Sequence, residues 1–147
     1  MSTKLEGRVI YGGQAQGSAL VTRMGISFFG GVDPDSGIIV ERGHELEGQC
    51  LRGRVLVFPT GKGSTVGSYT LYRLRQGGAA PAAILNTECE TITAVGCIIA
   101  EIPCLDQLDI QQIPDGAWVK VDGDRGLVEV SPPAEDQPGV DSGSCCG

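Results

Sequence analysis

Short apolar runs separated by polar, glycine-rich turns dominate the chain. Gly7-Arg8-Val9-Ile10-Tyr11 and Ser18-Ala19-Leu20-Val21-Thr22 have the composition of strands, and Gly12-Gly13-Gln14-Ala15-Gln16-Gly17 reads as a polar connection between them. Ile26-Ser27-Phe28-Phe29 is apolar and runs into Gly30-Gly31. Val32-Asp33-Pro34-Asp35-Ser36-Gly37 is a turn cluster in which the proline presets φ. Ile38-Ile39-Val40 predicts another short strand, and residues 41–52 a polar loop. Further strands are predicted at Arg54-Val55-Leu56-Val57-Phe58, at Pro81-Ala82-Ala83-Ile84-Leu85 and over Ile102 to Leu105. Trp118-Val119-Lys120-Val121-Asp122 and Gly126-Leu127-Val128-Glu129-Val130 predict a closing hairpin around Gly123-Asp124-Arg125.

Two segments carry helical signals. Over residues 64–76, Ser64 or Thr65 can cap the start, Arg73 and Arg75 sit in the last turn, and Gly77-Gly78 ends it. Val66, Tyr69, Leu71, Tyr72 and Leu74 supply an apolar face, although Gly67 weakens the helix. Thr91 to Ala100 is mostly apolar, and periodicity leaves helix and strand both open. The alternation of strand and helix between residues 54 and 85 favours a helix there. The expected fold class is an α/β domain rich in strands. Residues 1–130 are expected to form one domain, with 4–130 as its globular unit. The polar, proline-rich 131–147, ending Ser142-Gly143-Ser144-Cys145-Cys146-Gly147, is expected to be disordered.

Composition narrows the function classes. Lys and Arg number 11 against 18 Asp and Glu, a formal net charge of −7, which argues against a nucleic-acid surface. Met1 to Glu6 lacks an apolar core, and no run approaches the ~20 apolar residues of a membrane helix. A cytoplasmic location is therefore expected. Cys89, Cys97 and Cys104 lie in apolar surroundings and read as buried free thiols. They are separated by seven and six residues, unlike the short spacings of zinc or cluster sites, so no metal is expected on this chain. His44, the single histidine, reads as a surface or hydrogen-bonding residue.

The chemistry concentrates in Pro59-Thr60-Gly61-Lys62-Gly63-Ser64-Thr65-Val66-Gly67-Ser68-Tyr69. A glycine-rich loop between a strand and a helix start collects free backbone N–H groups and favours negative charge. It is not a phosphate loop of the G-x-x-x-x-G-K-[ST] type: Leu56 stands at its first glycine, and Gly63 follows Lys62 where a hydroxyl is required. Gly12 to Gly17 fails the dinucleotide fingerprint because Gln14 replaces the second glycine. Nor is Ser64 in a G-x-S-x-G elbow. A serine here can bind an anion, act as a base, or simply cap the helix for ~1 kcal/mol. A plain cap needs none of the accompanying glycines, lysine and further hydroxyls.

Three segments together resemble the small subunit of the aconitase X family: Ile26 to Pro34, Gly61 to Tyr69 and Ala80 to Ile84. The resemblance spans roughly residues 4–130. It implies a swivelling β/β/α domain like the small domain of aconitase. It also implies a large subunit that carries an iron–sulfur cluster and most of the active site. Two hydro-lyase activities are implied for such chains, dehydration of (R)-5-phosphomevalonate and dehydration of cis-3-hydroxy-L-proline. The unfused chain, the Gly63 to Tyr69 form and Glu90-Thr91-Ile92-Thr93-Ala94-Val95-Gly96 look more like the phosphomevalonate group. By this resemblance Ser64 is the catalytic base, while Gly61, Lys62, Gly63, Thr65 and Ser68 contact a small anionic substrate. A non-enzymatic anion-binding or scaffold domain is the competing class.

Overall fold

The computed structural model describes residues 3–61 and 67–131. Its strands are β1 (Thr3–Glu6), β2 (Arg8–Tyr11), β3 (Gln14–Val21), β4 (Val55–Phe58), β5 (Ala83–Asn86), β6 (Cys104–Asp106), β7 (Trp118–Asp122) and β8 (Leu127–Ser131). The helices are a single irregular turn, α1 (Phe28–Gly31), and two longer ones, α2 (Gly67–Gln76) and α3 (Thr91–Ala100). A 3-10 turn spans Ile110–Gln112.

All eight strands join in the order β1-β8-β7-β3-β4-β5-β6-β2. The long β3 serves both halves. Its first residues pair antiparallel with β7, and Ala19–Val21 pair parallel with β4. β4, β5 and β6 continue in parallel, which requires the crossovers that α2 and α3 supply. The two edge strands, β1 and β2, are consecutive in the chain with Gly7 alone between them. One residue cannot bridge the width of a flat sheet, so the sheet curls almost into a barrel. Gly7 makes that corner: its N–H bonds to the Gly126 carbonyl, and a β-carbon there would lie 2.5 Å from the Asp106 carbonyl oxygen.

Side chains alternate between two cores, as the strand period of two requires. Val55 and Val57 of β4, Ala83 and Leu85 of β5, and Val119, Val121, Val128 and Val130 point into the barrel. Leu56, Phe58 and Ile84 point the other way, where Leu71 and Leu74 of α2 and Cys97 and Ala100 of α3 cover them. These central strands are apolar on both faces because both faces are buried.

The swivelling β/β/α architecture and both predicted helices are present; the part of the 64–76 prediction that precedes Gly67 lies outside the described residues. Three local expectations change. The polar connection placed at 12–17 is largely strand, because Gln14 and Gln16 face solvent along the outer side of β3. Ile38-Ile39-Val40 forms only isolated bridges, Val32 with Ile39 and Ile38 with Cys50. β1 was not predicted: Leu5 is its one buried residue, and the strand exists through its pairing with β8.

Candidate active site

Pro59 to Gly61 leave β4 at Phe58, at the carboxyl edge of the parallel strands, where open α/β sheets place their ligands. Of the residues singled out from sequence, Gly61 and Ser68 are described, while Lys62, Gly63, Ser64 and Thr65 lie outside the described residues. The described residues on either side of that stretch, Gly61 and Gly67, are both closely packed. Gly61 bridges in parallel to Ile26, and the Ile26 N–H reaches the Thr60 carbonyl. A β-carbon on Gly61 would lie 2.5 Å from Glu90 Oε1 and would also overlap Thr93 Oγ1. At the other end, a β-carbon on Gly67 would touch Ile92 at 3.4 Å and Phe28 at 3.7 Å. Both ends of the loop thus rest on the start of α3.

Two helix N-termini meet at this point, and they differ electrostatically. At α3, the Glu90 carboxylate accepts the Ile92 and Thr93 N–H groups at 2.7 Å each and also the Thr93 hydroxyl. That terminus is filled by the protein's own anion. The first turn of α2 holds no acidic residue, and its cations Arg73 and Arg75 lie in its last turn. Among the described residues, no acidic side chain of its first turn neutralises the positive end of α2. Ser68, in that first turn, is buried and donates its hydroxyl proton to the Ile92 carbonyl at 2.8 Å. Ser68 was expected to contact the substrate; here its buried hydroxyl is given to Ile92, so it ties α2 to α3.

Sequence reasoning missed a layer of buried polar side chains along the same edge. Asn86 ends β5, Asp106 ends β6, and Thr22 follows β3. Asp106 takes a two-pronged ion pair from Arg8 at 2.9 and 2.8 Å and accepts the Cys89 N–H. Hydrogen bonding to that carboxylate holds the Arg8 guanidinium even more firmly protonated. Thr22 donates to Glu45, which also accepts the Arg23 N–H. These bonds, the Thr22 one foremost, hold the Glu45 carboxyl below the usual carboxylate range. His44 is buried: its Nδ1 accepts from Leu46 N–H, so Nε2 carries the proton and donates to the Gly25 carbonyl. The sequence signal for Asn86 and Asp106 was available: each is a polar residue closing an otherwise apolar strand.

A cleft of about 580 Å³ opens on this edge between Thr22, Arg23, Glu45, Pro59, Asp109 and Asp115. Its carboxylates outnumber its one arginine, so it is unsuited to an anionic ligand by itself. Beside the loop on the other side lie exposed apolar residues. Phe29 is 52% exposed and Tyr69 67%, and they meet Val32, Pro34 and Val40 around an apolar hollow of about 380 Å³.

Cys89, Cys97 and Cys104 are buried free thiols. Cys89 and Cys104 place their sulfurs 3.8 Å apart in the core. The hydrogen bond to Cys104 and then burial push the Cys89 thiol up. The Cys89 bond lowers Cys104, but its bond with Cys97 and its burial outweigh that and hold it well above the ordinary thiol range. Among the described residues no group of His, Cys, Asp or Glu is arranged to hold a metal, and none of the described helices is long and apolar enough to cross a membrane.

Comparison with known proteins places this geometry. The aconitase X swivel domain family matches residues 4–130. A protein named phosphomevalonate dehydratase small subunit from Methanosarcina acetivorans is 52% identical over 133 residues, covering 88% of this chain and 92% of that protein. Its namesake from Methanocella arvoryzae is 50% identical, covering 87% of this chain and 99% of that one. The crystal structure of Thermococcus kodakaraensis aconitase X in its holo-form superposes with a TM-score of 0.86 at 48% identity, covering 87% of this chain and 98% of that one. With a strand-rich α/β fold, a glycine–serine segment between β4 and α2 and these relatives, the chain belongs to the aconitase X swivel domain family.

Proposed function

We propose that this chain is the small subunit of a heteromeric cytoplasmic hydro-lyase, phosphomevalonate dehydratase, which converts (R)-5-phosphomevalonate to trans-anhydromevalonate 5-phosphate. The observation that carries this is the set of relatives near 50% identity, aligned over most of both chains, that bear the name of that small subunit.

The reaction takes a proton from one carbon and a hydroxyl from its neighbour, leaving a double bond and water. Ser64 is the base. A neutral serine is too weak for this, so its alkoxide needs positive potential nearby. The N-terminus of α2 supplies part of it, since no acidic side chain of its described first turn neutralises that end. Lys62 supplies more. Lys62, Gly61, Gly63 and Thr65 hold the negatively charged groups of the substrate, and Ser68 braces the helix start through Ile92. The Lewis acid that helps the hydroxyl leave is assigned by the family resemblance to an iron–sulfur cluster on the large subunit. Among the described residues of this chain no group of cysteines is arranged to hold one. The large subunit covers the exposed Phe29, Val40 and Tyr69 beside the loop, and closure excludes water from the base.

The test is to purify the full chain with whatever binds it and assay the assembly with both candidate substrates. Dehydration of (R)-5-phosphomevalonate in preference to cis-3-hydroxy-L-proline supports the reading. The reverse preference overturns the substrate. Failure to capture a larger, cluster-bearing partner points to a non-enzymatic anion-binding domain.

A further inference from the structure

We propose that Asn86 is a positioning residue for the dehydration, holding the root of the loop that carries Ser64; this rests on the function proposed above. Asn86 is fully buried, and in β4 and β5 it is the one polar residue among eight buried positions. Its register partner is Phe58, the last residue of β4. The Asn86 side chain donates from Nδ2 to the Phe58 carbonyl at 3.0 Å, where the β4–β5 ladder ends. The next residue, Pro59, has no N–H, and its own carbonyl is taken by the Glu88 N–H. Asn86 and Glu88 thus clamp two successive carbonyls and set the direction in which Thr60 and Gly61 depart.

The other half of the same amide is unused. Asn86 Oδ1 is buried with no hydrogen-bond partner among the described residues. An unpaired buried acceptor is unfavourable, and a leucine of similar volume would avoid that penalty. What leucine lacks is an N–H for Phe58. A side chain that costs stability and supplies one donor at the base of the site loop is accounted for by what the loop does.

Two readouts on the full chain and its complex test this. In Asn86→Leu, the amides of Ile26 and Glu88, which donate to the Thr60 and Pro59 carbonyls, should exchange with deuterium faster than in the native chain. In the assembled enzyme the variant's kcat should fall about ten- to a hundredfold, as expected of a misplaced catalytic group, with KM changed little. Unchanged exchange overturns the proposal, and so does faster exchange with native kcat. Should Asn86→Leu not fold, Asn86→Asp is read in the same way. Its carboxylate repels the Phe58 carbonyl, and protonation restores a donor, so its kcat relative to native rises as pH falls; a flat ratio counts against the proposal. If the native complex is inactive on phosphomevalonate, the proposed function fails, while the exchange data still judge the clamp.

Discussion

Gly61 shows most directly how a single position constrains the site. A β-carbon there would overlap both Glu90 and Thr93, whose oxygens are already committed to capping α3. Gly61→Ala must therefore displace either the loop or the cap. It should lose about 1–3 kcal/mol in urea denaturation, the range of an overpacked site, and lose activity as well. Glu45 makes a second residue-scale prediction. Its folded-state pKa is depressed by Thr22 and the Arg23 N–H, so its contribution is present at neutral pH. That contribution disappears as pH falls through the ordinary carboxylate range and below, since protonation then removes the better-stabilised charge. Glu45→Gln should flatten the acid side of a thermal-stability profile while leaving its shape above about pH 6 unchanged.

At the scale of elements, α3 owes its start to Glu90 and its close approach to α2 to Gly96, where a β-carbon would run into Leu71. Removing the cap in Glu90→Ala should cost ~1 kcal/mol, visible as a lower melting temperature. It should also slow turnover, because the Gly61 contact is lost with it. Much of this level was legible in the chain. Val55–Phe58 and the closing hairpin follow from composition alone, and the Thr91–Ala100 helix followed from the alternation of elements around it. What escaped depends on partners distant in sequence. Thr3-Lys4-Leu5-Glu6 becomes a strand by pairing with β8, and Gln14 to Gly17 by pairing with β7. Ile38-Ile39-Val40 looked like a strand but has no long neighbour to extend along.

The described residues form a sheet whose two edges meet at Gly7, with helices on one outer face. That curl was not readable from local pattern, because it follows from the long-range strand order. The glycine–serine loop was readable; Asn86 and Asp106 were visible as polar residues closing apolar strands, but that they share one buried edge was not, since only the fold brings them together. Exposed Phe29 and Tyr69 flank that edge, and a partner covering them should be sensitive to charge. Tyr69→Asp should weaken association with the large subunit about tenfold or more in a titration by calorimetry, without lowering the melting temperature of the isolated chain.

The central claim is that this chain contributes the base. The most direct measurement is turnover of (R)-5-phosphomevalonate by the two-subunit complex carrying Ser64→Ala. The variant should assemble with the large subunit as the native chain does, bind the substrate, and give no detectable product. Near-native turnover by that complex would contradict the account.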